Sequence, residues 1–202
     1  SPDGSRPAIY FINLKEVGDW PKYSLPALTY HEGVPGHHLQ ISLTQESEDI
    51  PMLRKVSHYS SYIEGWALYS EQLAEEMGGY EGIERAGYLQ SFLSRPSRLV
   101  VDTGLNSKGW TRQQAIDYMV GATGITRTRI EREINRYCVS IGQACSYKIG
   151  HLAWTRARAE AKKALGARFD VREFHEVLKE GAMPLSILQE RIRARTQAAL
   201  RA

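Results

Sequence analysis

Apolar side chains recur at spacings of three and four residues over most of the chain, which is the pattern of amphipathic helices. The first predicted helix begins at Ser24 and Pro26, because serine caps a helix start and proline suits the first turn. A second covers about 57–77 and ends at the pair Gly78-Gly79, since glycine commonly follows the last helical turn. The pattern therefore predicts helices from about residue 24 onwards.

A third helix is predicted over about 82–105, with Pro96 bending or splitting it because proline removes a backbone donor. Four later positions resemble capping boxes, in which a serine, threonine or aspartate precedes a glutamine or glutamate by three residues. These are Thr111 with Gln114, Thr128 with Glu131, Ser140 with Gln143, and Asp170 with Glu173. A last helix begins near Pro184.

One short run differs from this helical pattern. Residues 8–14 are β-branched, aromatic and apolar in character and predict a strand, the only one in the sequence. The prediction is thus a mainly α fold with one short strand near the N-terminus, organised as a single domain over residues 1–202.

The charges of the chain argue against nucleic acid as a partner. Its 202 residues include 26 basic and 23 acidic ones, with a formal net charge of +3. Arginine is dense at 127–136 and 191–201, but apolar residues at helical spacing in both stretches favour solvated helix faces.

Cys138 and Cys145 lie seven positions apart in one predicted helical region, too far apart to form a disulfide with each other if that helix is continuous. No run of about 18 apolar residues predicts a membrane span. The opening residues Ser-Pro-Asp-Gly-Ser have no signal-like character and resemble the middle of a protein. We therefore expect that an N-terminal part of a longer protein is missing.

The most informative residues are three histidines and a glutamate within eight positions. Zinc peptidases place two histidines at i and i+4 on a helix, where both imidazoles reach one ion. Here the position four after His31 is Pro35, so the second ligand is either His37 or His38. Proline and the following Gly36 should distort the helix, and a turn that absorbs two residues would bring His37 to the ligand position.

The third zinc ligand is predicted to be Glu64, a charge on an otherwise largely apolar helix that Gly65 lets approach the first helix. Glu71, two turns later on about the same face, is the alternative ligand or a partner of one. Glu32 directly follows His31, points to another side of the helix and suits the general base that takes a proton from zinc-bound water. The alternative for the cluster is a set of polar residues on a kinked helix, with Glu64 paired to an arginine.

Four segments of the sequence point to a known family. They are HEGVPGHHLQ at 31–40, EGWALYSE at 64–71, RLVVDTG at 98–104 and GQACSYKIG at 142–150. They resemble the bacterial family called domain of unknown function 885, and the similarity covers nearly the whole chain. Because members of that family are usually much longer, the chain resembles their C-terminal, catalytic portion.

The resemblance implies further properties of the chain. The family is similar to the helical gluzincins, zinc peptidases with two histidines and one glutamate on the metal, and their glycine before the second histidine favours His37. A tyrosine from a late helix would then stabilise the oxyanion, with Tyr147 the nearest match and Tyr137 the second. A strand at 8–14 would pair with the substrate backbone. Some relatives resemble lipoproteins, a hint of the cell envelope.

The expected function is therefore a zinc-dependent peptidase with His31, His37 and Glu64 as Zn²⁺ ligands and Glu32 as base. Its partner would be a peptide or peptide-like substrate. Two alternatives remain open from the sequence: a non-catalytic helical domain with a structural metal or a buried His/Glu network, and a metal-dependent hydrolase of other amides or esters. Metal chelation would distinguish the first alternative from a peptidase. It would lower the stability of the protein without abolishing any hydrolysis, because structural zinc contributes to folding.

Overall fold

The computed structural model describes residues 1 and 3–201, and α-helices account for most of them. The helices are α1 (Leu25–Glu32), α2 (His37–Glu46), α3 (Met52–Val56), α4 (Ser60–Glu76), α5 (Glu84–Ser107), α6 (Arg112–Thr123), α7 (Arg127–Val139), α8 (Gln143–Leu165), α9 (Val171–His175) and α10 (Leu185–Arg201). Short 3-10 turns precede α1 and flank α9. The predicted mainly α fold is confirmed.

Local capping explains two of the predicted helix starts. Thr111 and Gln114 form the complete capping box that opens α6, and the Asp170 carboxylate accepts the amide of Arg172 at the start of α9. Pro96 lies inside α5, which continues unbroken on both sides of it. Of the two effects predicted for this proline, bending or splitting, splitting is wrong, and bending stays a prediction.

The start of α8 depends on a long-range contact, and the local sequence pattern placed it wrongly. The predicted start at Ser140 is wrong, because α8 begins three residues later, after Gly142. The buried Asp102 carboxylate of α5 accepts the Gly142 amide at 3.0 and 3.2 Å, so a distant acid satisfies this helix end. Thr128 already lies within the first turn of α7 rather than capping it.

The strand predicted at 8–14 is wrong. These residues adopt no regular secondary structure, and Ile9, Phe11 and Leu14 are exposed. β-branched and aromatic residues favour a strand only when a neighbouring strand supplies its hydrogen bonds, and the described part of the chain contains no other strand.

The main core lies between α4, α8 and α10. Trp66, Trp154 and Leu188 are fully buried there, and Gly65 of α4 meets Gly150 of α8. A Cβ atom on either glycine would collide with the backbone of the opposite helix. We expected Gly65 to allow close approach of the first helix, but it allows close approach of α8. The helix that carries Glu64 is thereby held against the helix that carries Tyr147.

Two further predictions concern the cysteines and the lack of a membrane-spanning segment. Cys138 of α7 and Cys145 of α8 are unpaired as expected, although the helix between them is broken rather than continuous. None of the helices in residues 1 and 3–201 has the length and apolar character needed to cross a membrane.

Candidate metal centre

A sharp turn between α1 and α2 places His37 beside His31. The Val34–Pro35 peptide bond is cis, and the Pro35 carbonyl accepts hydrogen bonds from Trp66 Nε1 at 2.8 Å and Ser70 Oγ at 3.1 Å. Both donors belong to α4, so the turn is attached to the helix that also carries the acidic residues of the site.

Gly36 makes this turn possible. A Cβ atom at this position would collide with the carbonyl oxygens of Tyr30 and His31, because the chain folds back directly over the end of α1. α2 then begins at His37, whose ring meets that of His31 edge-on with centroids 4.8 Å apart. The expected distortion is therefore a complete break between two helices.

His31, His37 and Glu64 converge on one point, with one potential ligand atom from each within 4.8 Å of the others. Glu64 Oε2 lies 3.5 Å from His31 Nε2 and 3.4 Å from His37 Nε2. The side chains of Glu64, His31 and His37 are 15%, 4% and 16% exposed, respectively. His38 is exposed and does not join this group.

Two of the three separations between these atoms have the size expected around a zinc ion, and the third lies within 4.8 Å. Ligand atoms about 2.1 Å from zinc in a tetrahedral arrangement lie about 3.4 Å from one another. The two distances from Glu64 Oε2, 3.4 and 3.5 Å, have this size. Glu64 Oε2 is buried and accepts no well-aligned hydrogen bond from the described residues. Because it faces the two imidazole nitrogens, a proton on one of them or a cation shared by all three groups would stabilise it. The donor set of two imidazoles and one carboxylate is also one that zinc prefers.

Glu71 orients His31 from the opposite side of the ring. Its Oε1 lies 2.7 Å from His31 Nδ1, and its Oε2 accepts the Ser91 hydroxyl at 2.7 Å. Arg95 approaches Glu71 Oε1 at 3.5 Å. Because Nδ1 is engaged by this carboxylate, Nε2 is directed towards Glu64, so Glu71 supports His31 and lies outside the three-residue group.

Gln143 fixes the second oxygen of Glu64 and was missed from the sequence. Its Nε2 donates to Glu64 Oε1 at 3.1 Å and lies 3.3 Å from the Tyr147 hydroxyl. Its Oε1 accepts from Arg136 at 3.0 Å, which sets the orientation of the amide. The sequence marked Gln143 only as a capping partner, so nothing local indicated this contact.

The electrostatics of the group reflect its burial and its internal partners. Burial acts to raise the pKa of Glu64, but the neighbouring imidazoles of His31 and His37 outweigh it, and the net pKa is lowered. Burial acts to lower the pKa of His31, whereas Glu64 and Glu71 raise it by a larger amount. The group therefore favours a carboxylate in close contact with two imidazoles.

The residues predicted for catalysis lie on two sides of this group. Tyr147 of α8 stacks on His31 with ring centroids 6.1 Å apart. Glu32 is partly buried and, together with His37, lines a cleft of about 750 Å³ between α2 and residues 3–10. The second oxyanion candidate, Tyr137, instead donates to Glu133 at 2.9 Å away from the histidines.

The remaining histidines play other roles. Burial lowers the pKa of both His151 and His175 to about 4, and each has a local polar partner, Gln72 and Tyr69 respectively. His58 is exposed in the loop before α4, whereas the sequence predicted that it lies on the helix at about 57–77.

Comparison with known proteins identifies one family. A family model described as a bacterial protein of unknown function (DUF885) matches residues 1–192. No curated protein matches the chain.

Two solved structures resemble the chain. A predicted lipoprotein from Colwellia psychrerythraea is 46% identical with a TM-score of 0.95, over 98% of this chain and 34% of that one. A predicted lipoprotein of unknown function from Shewanella oneidensis is 27% identical with a TM-score of 0.77, over 85% of this chain and 32% of that one. The chain thus spans about a third of the length of each.

Proposed function

The chain belongs to the bacterial DUF885 family, and we propose that it is a zinc-dependent hydrolase of peptide or peptide-like amide bonds. The observation that carries this proposal is the convergence of His31, His37 and Glu64 at zinc-ligand spacing, around a buried carboxylate oxygen that accepts no well-aligned hydrogen bond from the described residues. The open cleft beside His37, lined by Glu32, supports a catalytic rather than a purely structural metal.

The proposal includes a distant relationship to the gluzincins. It rests on the order of residues in the chain, a His-Glu pair, a Gly-His pair and then a glutamate on the next long helix. In this chain the turn at Pro35 and Gly36 accounts for the two additional residues between the histidines, because it brings His37 next to His31.

In the proposed mechanism His31, His37 and Glu64 hold the metal. Zinc bound there would polarise the substrate carbonyl and lower the pKa of its bound water towards about 7. Glu32 accepts the proton of the attacking water at its carboxylate and delivers it to the leaving nitrogen. Tyr147 donates a hydrogen bond from its hydroxyl to the carbonyl oxygen as negative charge develops there.

Zinc analysis of protein purified without a histidine tag tests the proposal. We expect about one zinc per chain, loss of peptide hydrolysis when a chelator removes it, and recovery when zinc is restored. Protein that binds no zinc under these conditions would contradict the proposal. If chelation lowers the unfolding temperature and the zinc-loaded protein hydrolyses nothing, the metal is structural. Parallel peptide, simple amide and ester substrates separate a peptidase from other hydrolases.

Glu71→Gln is expected to weaken zinc binding by about tenfold to a hundredfold, because the variant loses the charged partner that orients His31. A competition titration with a chromophoric chelator measures the change. Glu75→Gln serves as the control, since Glu75 lies on the same helix and pairs with the exposed Arg85. Equal affinities of wild type and Glu71→Gln would show that this carboxylate does not support the metal.

The full protein is proposed to act in the cell envelope. Both solved relatives are predicted lipoproteins, which supports this location. A peptide-like substrate of the envelope is then the natural class to test.

A further inference from the structure

Arginines of α5 and α7 lie around Tyr147. The guanidinium carbons of Arg98 and Arg95 lie 4.7 and 5.1 Å from the centre of the Tyr147 ring. Arg129 and Arg136 lie on α7, which packs against the helix that carries Arg95 and Arg98. Arg95 and Arg98 therefore lie against Tyr147, and Arg136 is linked to it through Gln143.

The nearby carboxylates do not balance these charges one for one. Arg98 Nη2 donates to Glu133 Oε2 at 2.9 Å, while Arg136 Nη1 lies 4.0 Å from the same oxygen. Arg129 is held by the backbone oxygen of Asp19 rather than by a carboxylate of the described residues. Burial, followed by repulsion from Arg95, lowers the pKa of Arg129. Among the described residues, Glu133 is thus the single carboxylate that Arg98 and Arg136 share.

Donor groups also remain unused in this region. The Nε atoms of Arg95 and Arg98 are buried and have no hydrogen-bond partner within the described chain. Leaving a charged donor desolvated and unpaired costs free energy, whereas an anion would engage it in strong, charge-assisted hydrogen bonds. A purely structural link between α5 and α7 through Glu133 would need only one arginine.

Gln143 connects the arginines to the proposed metal ligand. Arg136 donates to its Oε1 at 3.0 Å, and its Nε2 donates to Glu64 Oε1 at 3.1 Å. Arg136 is 44% exposed, so an anion can approach it from solvent, whereas Arg98 is 10% exposed behind it. Gln143 contacts both Glu64 and Arg136, so one amide group separates the proposed metal ligand from the arginine. One residue of extended peptide spans about 3.3–3.6 Å, so a carboxylate one or two residues past the scissile bond is of the length needed to bridge such a separation.

We propose that Arg98 and Arg136, beside Tyr147, form a subsite for a substrate carboxylate close to the scissile bond. The guanidinium groups would bind the carboxylate through paired N–H donors, a geometry that arginine provides and lysine does not. A peptide with a free C-terminal carboxylate is the expected ligand, so the enzyme would remove residues from the C-terminus. This inference rests on the proposed peptidase function for its catalytic meaning.

The test measures binding rather than turnover. N-acetyl-Ala-Phe with a free carboxylate, its C-terminal amide and N-acetyl-Ala-Glu amide are titrated calorimetrically into the zinc-loaded and the metal-free chain. We expect the free acid to bind at least about tenfold more tightly than its amide, a difference of about 1.4 kcal/mol. Arg136→Met should reduce binding of the acid to the level of the amide. Arg127→Met is the control, because Arg127 lies on the same helix and pairs with the exposed Asp117.

Each outcome of these titrations either supports or overturns the carboxylate subsite. Equal binding of acid and amide, binding of neither, or an acid preference that persists in Arg136→Met would overturn the subsite. Tight binding of the glutamyl amide would retain the carboxylate subsite and assign it to a substrate side chain. Failure of the peptidase proposal is distinguishable, because the metal-free protein would keep its preference for the acid while zinc analysis found no bound metal.

Discussion

His37→Ala is expected to lower the zinc affinity of the chain by about a thousandfold, whereas His38→Ala leaves it unchanged. Zinc sites in small proteins contribute apparent binding free energies of about 10–16 kcal/mol, so loss of one of three protein ligands removes roughly a third of this. His37 Nε2 lies 3.4 Å from Glu64 Oε2, and His38 is exposed to solvent. Competition with a chromophoric chelator measures both affinities.

The two variants form a matched pair, since they remove the same imidazole from adjacent positions of α2. Circular dichroism of the metal-free proteins should give similar spectra for both. A larger loss of zinc affinity in His38→Ala than in His37→Ala would contradict the ligand assignment, although membership of the family would stand.

Glu32→Gln should retain one zinc per chain and lower kcat for peptide hydrolysis by about a hundredfold to ten-thousandfold, which is the usual contribution of a general base. Glutamine has nearly the same shape as glutamate but cannot accept the proton. Steady-state kinetics combined with zinc analysis separates this effect from loss of the metal.

Glu46→Gln is the control for this experiment. Glu46 lines the same cleft as Glu32 but is exposed at the end of α2, so its loss should leave kcat near the wild-type value. If Glu32→Gln kept full activity, another group would have to accept the proton.

Local sequence patterns predicted the parts of the fold that depend on local physics. Helical periodicity located most helices, and the reciprocal side chains of Thr111 and Gln114 placed the start of α6 correctly. The start of α8 was misplaced because Asp102, forty residues earlier, satisfies it. The strand failed because residue type at 8–14 was considered without a partner strand.

In the candidate site, too, the sequence predicted the features that depend on local residue chemistry and missed those that depend on helix packing. His31, Glu64 and the helix break at Pro35 could be identified from residue chemistry alone, and that break is what placed His37 rather than His38 near Glu64. The contacts of Gln143 and the positions of the arginines could not be identified, because they depend on how α8, α5 and α7 pack together.

The contact between Gly65 and Gly150 has a consequence for how such a site can be altered. Gly65 directly follows Glu64, and Gly150 lies one turn after Tyr147, so the crossing point of α4 and α8 sets the distance between these two side chains. A methyl group at either glycine would push α4 and α8 apart and move Tyr147 away from Glu64 without changing any reactive atom. The alignment of the proposed chemistry is thus governed by two positions that contribute no functional group.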